Sequence, residues 1–101
     1  MNAIEVAHNP EAQRFECRLD GHLAVAEYER EPGRIRFTHT RVPEALAGQG
    51  VGGRLARAGL ESARAEGLEV IPLCSFIAGY IRKHPEYRPL VHADYRATVG
   101  E

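Results

Sequence analysis

Lysine is nearly missing from this chain: twelve of its thirteen basic residues are arginine, and Lys83 stands alone. With abundant alanine and glycine, that bias reads as a GC-rich bacterial genome. Cysteine is scarce too. Cys17 and Cys74 lie too far apart for the paired spacings of a zinc site and are too few for a disulfide framework, which points to a reducing, cytoplasmic setting. No set of ligands suggests a metal, since His8, His22 and His92 form no constellation. No apolar run approaches the ~20 residues needed to span a bilayer. The start, Met1–Val6, lacks the basic segment and apolar stretch of a secretory signal. Charge of one sign is also missing: the net charge of −1 gives no reason to expect nucleic acid or an anionic membrane as partner. Repeats and Pro/Gly/Ser-rich linkers are absent. The expectation is one domain over residues 1–95, with 96–101 a frayed tail.

What is present divides into two patterns. The first half alternates as β-strand. Ile4–His8 ends at Asn9-Pro10. Arg14–Leu19 sets Phe15, Cys17 and Leu19 against Arg14, Glu16 and Arg18. Asp20-Gly21, a strong hairpin signal, leads into His22–Arg30. Glu31-Pro32-Gly33 turns the chain into Arg34–Val42, where Ile35 and Phe37 face one way and Arg34 and Arg36 the other. Four antiparallel strands in a meander are expected.

From Gly50 to Glu66 the period becomes helical: Val51, Leu55, Ala56, Gly59, Leu60 and Ala63 share a face. Glu61 lies within ion-pair reach of Arg57 and Arg64, and Gly67 occupies a C-cap position. Glu69–Leu73 reads as a short buried strand that Pro72 places near an edge or a break in pairing. Ser75–His84 reads as a second helix, stopped by Pro85. Strand, helix and strand make a βαβ unit with a right-handed crossover, which brings the C-terminal ends of two parallel strands to one edge. Ligands of open α/β sheets bind at such edges.

That edge carries Gly48-Gln49-Gly50-Val51-Gly52-Gly53. Four glycines at a helix start are costly, each losing about 0.5–1 kcal/mol against alanine in a helix interior. Phosphate binding accounts for them. First-turn N–H groups have no partner inside the helix, the dipole favours an anion, and small residues let a pyrophosphate reach the backbone. A tight structural turn explains one or two of them at most. No Gly-Lys-Ser/Thr follows, and the loop does not succeed a first strand, so neither a Walker loop nor a Rossmann fingerprint fits.

His39-Thr40-Arg41-Val42-Pro43, then Gly48-Gln49-Gly50-Val51-Gly52, Val70-Ile71-Pro72-Leu73-Cys74-Ser75-Phe76 and His84-Pro85-Glu86-Tyr87 follow in order. Together they resemble the minimal YjdJ-type branch of the GNAT N-acetyltransferase superfamily. The likeness reaches upstream to Phe15 and Leu19-Asp20-Gly21 and covers nearly the whole chain. It implies an α+β fold, a truncated acyl-CoA N-acyltransferase core: a mostly antiparallel twisted sheet with one parallel step and two helices. It implies acetyl-CoA as cofactor, cradled by Gly48, Gln49, Gly50, Val51, Gly52 and Gly53, with the pantetheine arm along Arg41, Val42 and Pro43. The superfamily's Arg/Gln-x-x-Gly-x-Gly/Ala pattern falls on Ala47, Gly50 and Gly52. Ala47 replaces the usual long side chain, which removes one contact but leaves the backbone cradle. Arg82 and Lys83 are in position to reach the cofactor's phosphates, or else form a solvated face.

Acetylating an amine needs a neutral amine, a carbonyl within attack distance and a donor to the departing thiolate. Histidine suits the proton transfer near neutral pH. His39, late in the fourth strand, and Cys74, directly after the fifth, match a histidine and a cysteine proposed for catalysis in the minimal branch. Alternation puts His39 on the side of Ile35 and Phe37, where it is alternatively a core histidine, as Cys74 is alternatively a small buried hydrophobe. The expected reaction is direct attack or a Cys74-assisted variant. Asn9–Gln13 is too short for the helical segment that follows the first strand in larger relatives, which implies an open cleft and an acceptor such as a protein lysine or N-terminus. The alternative is a non-catalytic acyl-CoA-binding module.

Overall fold

The structure, a computed structural model, describes residues 4–100. Its strands are β1 (Ala7–Asn9), β2 (Arg14–Leu19), β3 (His22–Glu31), β4 (Arg34–Arg41) and β5 (Glu69–Pro72). Helix α1 (Val51–Glu66) joins β4 to β5, and α2 (Ser75–Lys83) follows β5. Short 3-10 segments occupy Glu44–Leu46, Pro85–Leu90 and Ala93–Val99. The five strands lie side by side in chain order. The first four are antiparallel, and β4 and β5 are parallel. Asp20 and Gly21 both take left-handed backbone, φ 53° and 78°, in the tight turn expected between β2 and β3. The first strand is shorter and later than the pattern suggests. Ile4 and Val6 lie against the core instead of pairing.

Cross-strand partners share a face of a sheet. The registers Phe15↔Ala26, Cys17↔Ala24 and Tyr28↔Phe37 therefore assemble one apolar face from β2, β3 and β4. Helix α1 lies on that face with Leu55, Ala56, Gly59, Leu60 and Ala63 buried. The approach is close: a Cβ on Gly59 would stand 2.8 Å from the Phe37 ring and 3.6 Å from Phe15. Gly67 (φ 68°) ends the helix as expected, its N–H turned back to the Ala63 and Arg64 carbonyls. Burial raises the Cys17 thiol pKa above its ordinary value and marks it as a core residue.

Among the described residues no α-helix packs on the opposite face of β2 and β3. It carries ion pairs instead: Arg14–Glu16 (2.7 Å), Arg41–Glu27 (2.8 Å), and Arg36 with Glu29 (3.6 Å) and Glu31 (3.2 Å). A sheet face left to water is stable when its outward residues are mostly polar; here Leu23, Val25 and Ile71 are the apolar exceptions, and Val25 and Ile71 are buried.

Two expectations need correction. The segment expected to fray is held down. Val99 is fully buried, the Arg82 guanidinium donates to the Thr98 carbonyl (2.6 Å), and Arg88 Nε donates to Val99 (3.0 Å). Arg96 Nε closes on the Val91 carbonyl (3.1 Å), and the His92 N–H bonds to Val70 along the free edge of β5. Three arginines satisfy carbonyls that composition alone leaves to solvent; Glu101 lies outside the described residues. The second correction concerns His39. Tyr28 faces Phe37, but its neighbour Glu27 faces His39, so Thr38 is an extra residue in β4. This β-bulge reverses the alternation, as bulges do. His39 shares the uncovered face with Glu27 and is exposed, while Thr40, paired with Ala26, returns to the face of Phe37.

Candidate functional site

Parallel pairing of β4 with β5 ends at Phe37↔Pro72. Pro72 has no N–H to continue a ladder. The Cys74 N–H closes on the Phe37 carbonyl (2.8 Å), and the chain then turns into α2 with Cys74 as its N-cap residue. Strand β4 runs on to Arg41, so Thr38–Arg41 border a slot with no strand on the β5 side. Thr40 Oγ1 lies 3.3 Å from Cys74 Sγ, within hydrogen-bonding range, and links the two sides of the slot. Cys74 is 7 % exposed and its thiol caps no backbone N–H of α2. That leaves the sulfur with the threonine hydroxyl as its polar neighbour among the described residues.

Below the slot the chain passes through the 3-10 turn Glu44–Leu46, anchored by the buried Leu46, into the glycine loop. Gly48 and Gly50 both have left-handed backbone, φ 81° and 80°, which a side chain rarely adopts. Gly50 is the N-cap of α1, and its carbonyl accepts the first helical bond, from Arg54 (3.1 Å). The N–H groups of Val51, Gly52 and Gly53 precede that bond and have no acceptor within the helix. A Cβ on Gly52 would stand 2.7 Å from the Phe76 ring. Val42, Leu46, Ala47, Gly48, Gly50–Gly53 and Phe76 together line a groove of about 290 Å³. Unpaired N–H donors, small side chains and a helix N-terminus are the features a pyrophosphate needs.

A model of the family described as GCN5-related N-acetyl-transferase matches residues 14–90, from β2 through the segment Pro85–Leu90. The chain belongs to that family. Among its relatives is the protein NATD1 of Gallus gallus, 35% identical over 92 residues, which cover 88% of this chain and 84% of the relative. NATD1 of Mus musculus is 35% identical over 85 residues, covering 81% of this chain and 77% of the relative. For NATD1 of Homo sapiens the identity is 35% over 85 residues, with coverage of 81% and 75%. These are vertebrate proteins, and they lend no support to the bacterial origin read from the arginine bias. The resemblance drawn from the motifs and the GNAT-type α+β fold both hold. Family membership supports acyl transfer as the general chemistry.

Within this GNAT fold the sequence-selected residues separate into groups. Val42, Gly48, Gly50, Val51, Gly52 and Gly53 lie together in the loop groove, whereas Gln49, between Gly48 and Gly50 in the chain, does not line it. Arg41 and Pro43 line a different, larger groove on the uncovered face. Arg82 and Lys83 line a third, with Ser75, Phe76, Gly79 and Tyr80, and it touches the loop groove only through Phe76. Arg82 is also committed to the Thr98 carbonyl. His39 and Cys74 are not neighbours, because they belong to opposite faces of the sheet at the slot. Thr40 was missed. Nothing in the sequence marks the bulge that turns it inward.

The segment after α2 supports the site from outside. His84 stacks on Tyr80, with ring centroids 4.1 Å apart. Tyr87 is buried, and its hydroxyl donates to Glu61 Oε2 (2.6 Å) on α1. Burial and that carboxylate push the Tyr87 pKa up to about 12. Arg64 also pairs with Glu61 (3.2 Å), as expected from their spacing, while the Tyr87 hydroxyl is the second partner in place of Arg57. Among the described residues no cluster of three or more His, Cys, Asp or Glu is placed to hold a metal, and no helix is long and apolar enough to cross a membrane.

Proposed function

We propose that this protein transfers an acetyl group from acetyl-CoA to an amine at the slot where β4 outruns β5. The observation that carries the reading is the continuity of the loop groove with that slot. Val42 lines the groove and follows directly on Thr40 and Arg41, and Thr40 contacts Cys74. Acetyl-CoA, when bound, supplies the activated acyl carbon and a thiolate leaving group. The residues present suit it: left-handed glycines at 48 and 50, free first-turn N–H groups, and no side chain at Gly52 to fill the cradle.

In this reading the N–H groups of Val51, Gly52 and Gly53 hold the pyrophosphate, and Val42, just past the end of β4, guides the pantetheine arm. Thr40 Oγ1 fixes the rotamer of Cys74. His39 stands on the uncovered face, from which an amine enters, and takes the proton the amine loses as its nitrogen bonds to the acyl carbon. As the C–S bond breaks, Cys74 Sγ–H donates to the departing sulfur and is reprotonated from water. The free state of both cysteines suits a reducing compartment such as the cytoplasm. The sheet face without a helix suits an acceptor on a protein, a lysine or an N-terminus.

A second reading, an acyl-CoA-binding module without transfer, is favoured by the separation of His39 from Cys74. Thiol release from acetyl-CoA in the presence of mixed amines and peptides decides between them. The transfer reading expects turnover that falls about tenfold or more in Cys74→Ala and in His39→Ala, the usual size of a general acid–base contribution. Binding with no turnover for any acceptor would leave the module. Full activity in Cys74→Ala would remove the thiol from the mechanism.

A further inference from the structure

A groove of about 590 Å³ lies on the uncovered face and belongs to none of the cofactor machinery except through its end. Its lining is Arg14, Leu23, Val25, Thr40, Arg41, Val42 and Pro43. Three facts give it a purpose. Val42 is common to this groove and to the glycine-loop groove, so the two meet at the end of β4. Thr40, at the same end, contacts Cys74. The charged side chains of the lining are both guanidinium groups, and no carboxylate lines it.

Those guanidinium groups are oriented but not used up. Arg41 bonds Glu27 through Nη2 and its side chain is 71% exposed. Arg14 bonds Glu16 through Nε. Each pair is a neighbour on one face: Glu27 opposite Arg14, Glu16 opposite Val25, and Val25 opposite Arg41. Among the described residues the other guanidinium nitrogens of both arginines have no carboxylate partner. Arg14 and Arg41 stand on β2 and β4 with β3 between them and are offset by two residues along it, which puts them about 12 Å apart at the usual strand spacing and rise. An extended chain covers that distance in roughly three to four residues.

Resting on the transfer reading, we propose that this groove is the acceptor site and that it selects an acidic peptide. The amine lies at Thr40, an apolar residue covers Leu23, Val25 and Pro43, and carboxylates within about three residues of the amine meet Arg41 and Arg14 bidentately. A polyamine or a lysine-rich tail meets two like charges there and is rejected by them.

Binding tests the groove apart from turnover. Fluorescence anisotropy would compare a labelled peptide carrying an apolar residue and two glutamates beside its amine with the same peptide carrying lysines, at low salt and with CoA present. The groove expects the acidic peptide to bind at least about tenfold tighter, the size of one charge-assisted contact. The preference should disappear in Arg14→Gln/Arg41→Gln. It should grow in Glu27→Gln, which frees Arg41, whereas a merely structural role for the pair would not change it. Equal or tighter binding of the basic peptide, or a preference unchanged in the double variant, overturns the inference. Transfer to amines without acidic preference overturns the groove but leaves the enzyme. Acidic-peptide binding that depends on the arginines, without thiol release, leaves the groove and overturns the enzyme.

Discussion

The two faces of the sheet use the same five strands in opposite ways. One is apolar, buries Phe15, Ala26, Tyr28 and Phe37 beneath α1, and leaves so little room that Gly59 cannot carry a Cβ without displacing the Phe37 ring. The other carries pairs of arginines and glutamates around an apolar patch of Leu23 and Val25, with two grooves meeting at its edge. Stability and chemistry are thereby separated. The covered face supplies hydrophobic burial, and the uncovered face leaves room for the proposed acceptor groove.

The comparison is broken most directly by emptying the covered face. Phe37→Ala removes a fully buried ring and should cost about 3–5 kcal/mol, read as a lower denaturation midpoint. Gly52→Val comes next. Its side chain fills the phosphate cradle and displaces the half-exposed Phe76, so acetyl-CoA affinity should fall about a hundredfold or more, close to the loss of two charge-assisted contacts, while the melting temperature changes little. The Tyr87–Glu61 contact yields a pH effect. The folded-state tyrosine pKa is raised, so the stability it contributes is full below the ordinary value near 10 and is lost as pH rises through about 12. Wild-type protein should therefore lose stability between pH 10 and 12 more steeply than Tyr87→Phe in denaturation at stepped pH. The smallest effect belongs to the uncovered face. Arg36→Gln, which removes two exposed ion pairs, should cost no more than about 1 kcal/mol. A larger loss there would mean that the face is structural.

The same division governs what the sequence made legible. Local chemistry was readable: the Asp20-Gly21 turn, the α1 face, the Gly67 cap and the edge position of Pro72 each rest on a few adjacent residues. The glycine loop was readable as the lead into α1, where Gly48 and Gly50 take left-handed backbone. What failed depended on distant partners. The bulge at Thr38 is set by pairing with β3, and it exchanged His39 for Thr40 beside Cys74. The order of residues 96–100 comes from arginine side chains reaching carbonyls elsewhere in the chain, a contact no local pattern records. The large groove proposed for the acceptor spans β2, β3 and the end of β4, and no motif announces it.

The central claim is that the slot and glycine loop form an acetyl-CoA site. Calorimetric titration of the protein with acetyl-CoA, beside Gly50→Val and Gly52→Val of matched thermal stability, tests it most directly. The account predicts saturable one-to-one binding in the micromolar range for the native chain and its loss in both variants. No heat of binding at millimolar acetyl-CoA, or equal affinity in all three proteins, would contradict it and leave the glycine loop as a tight turn beneath the sheet.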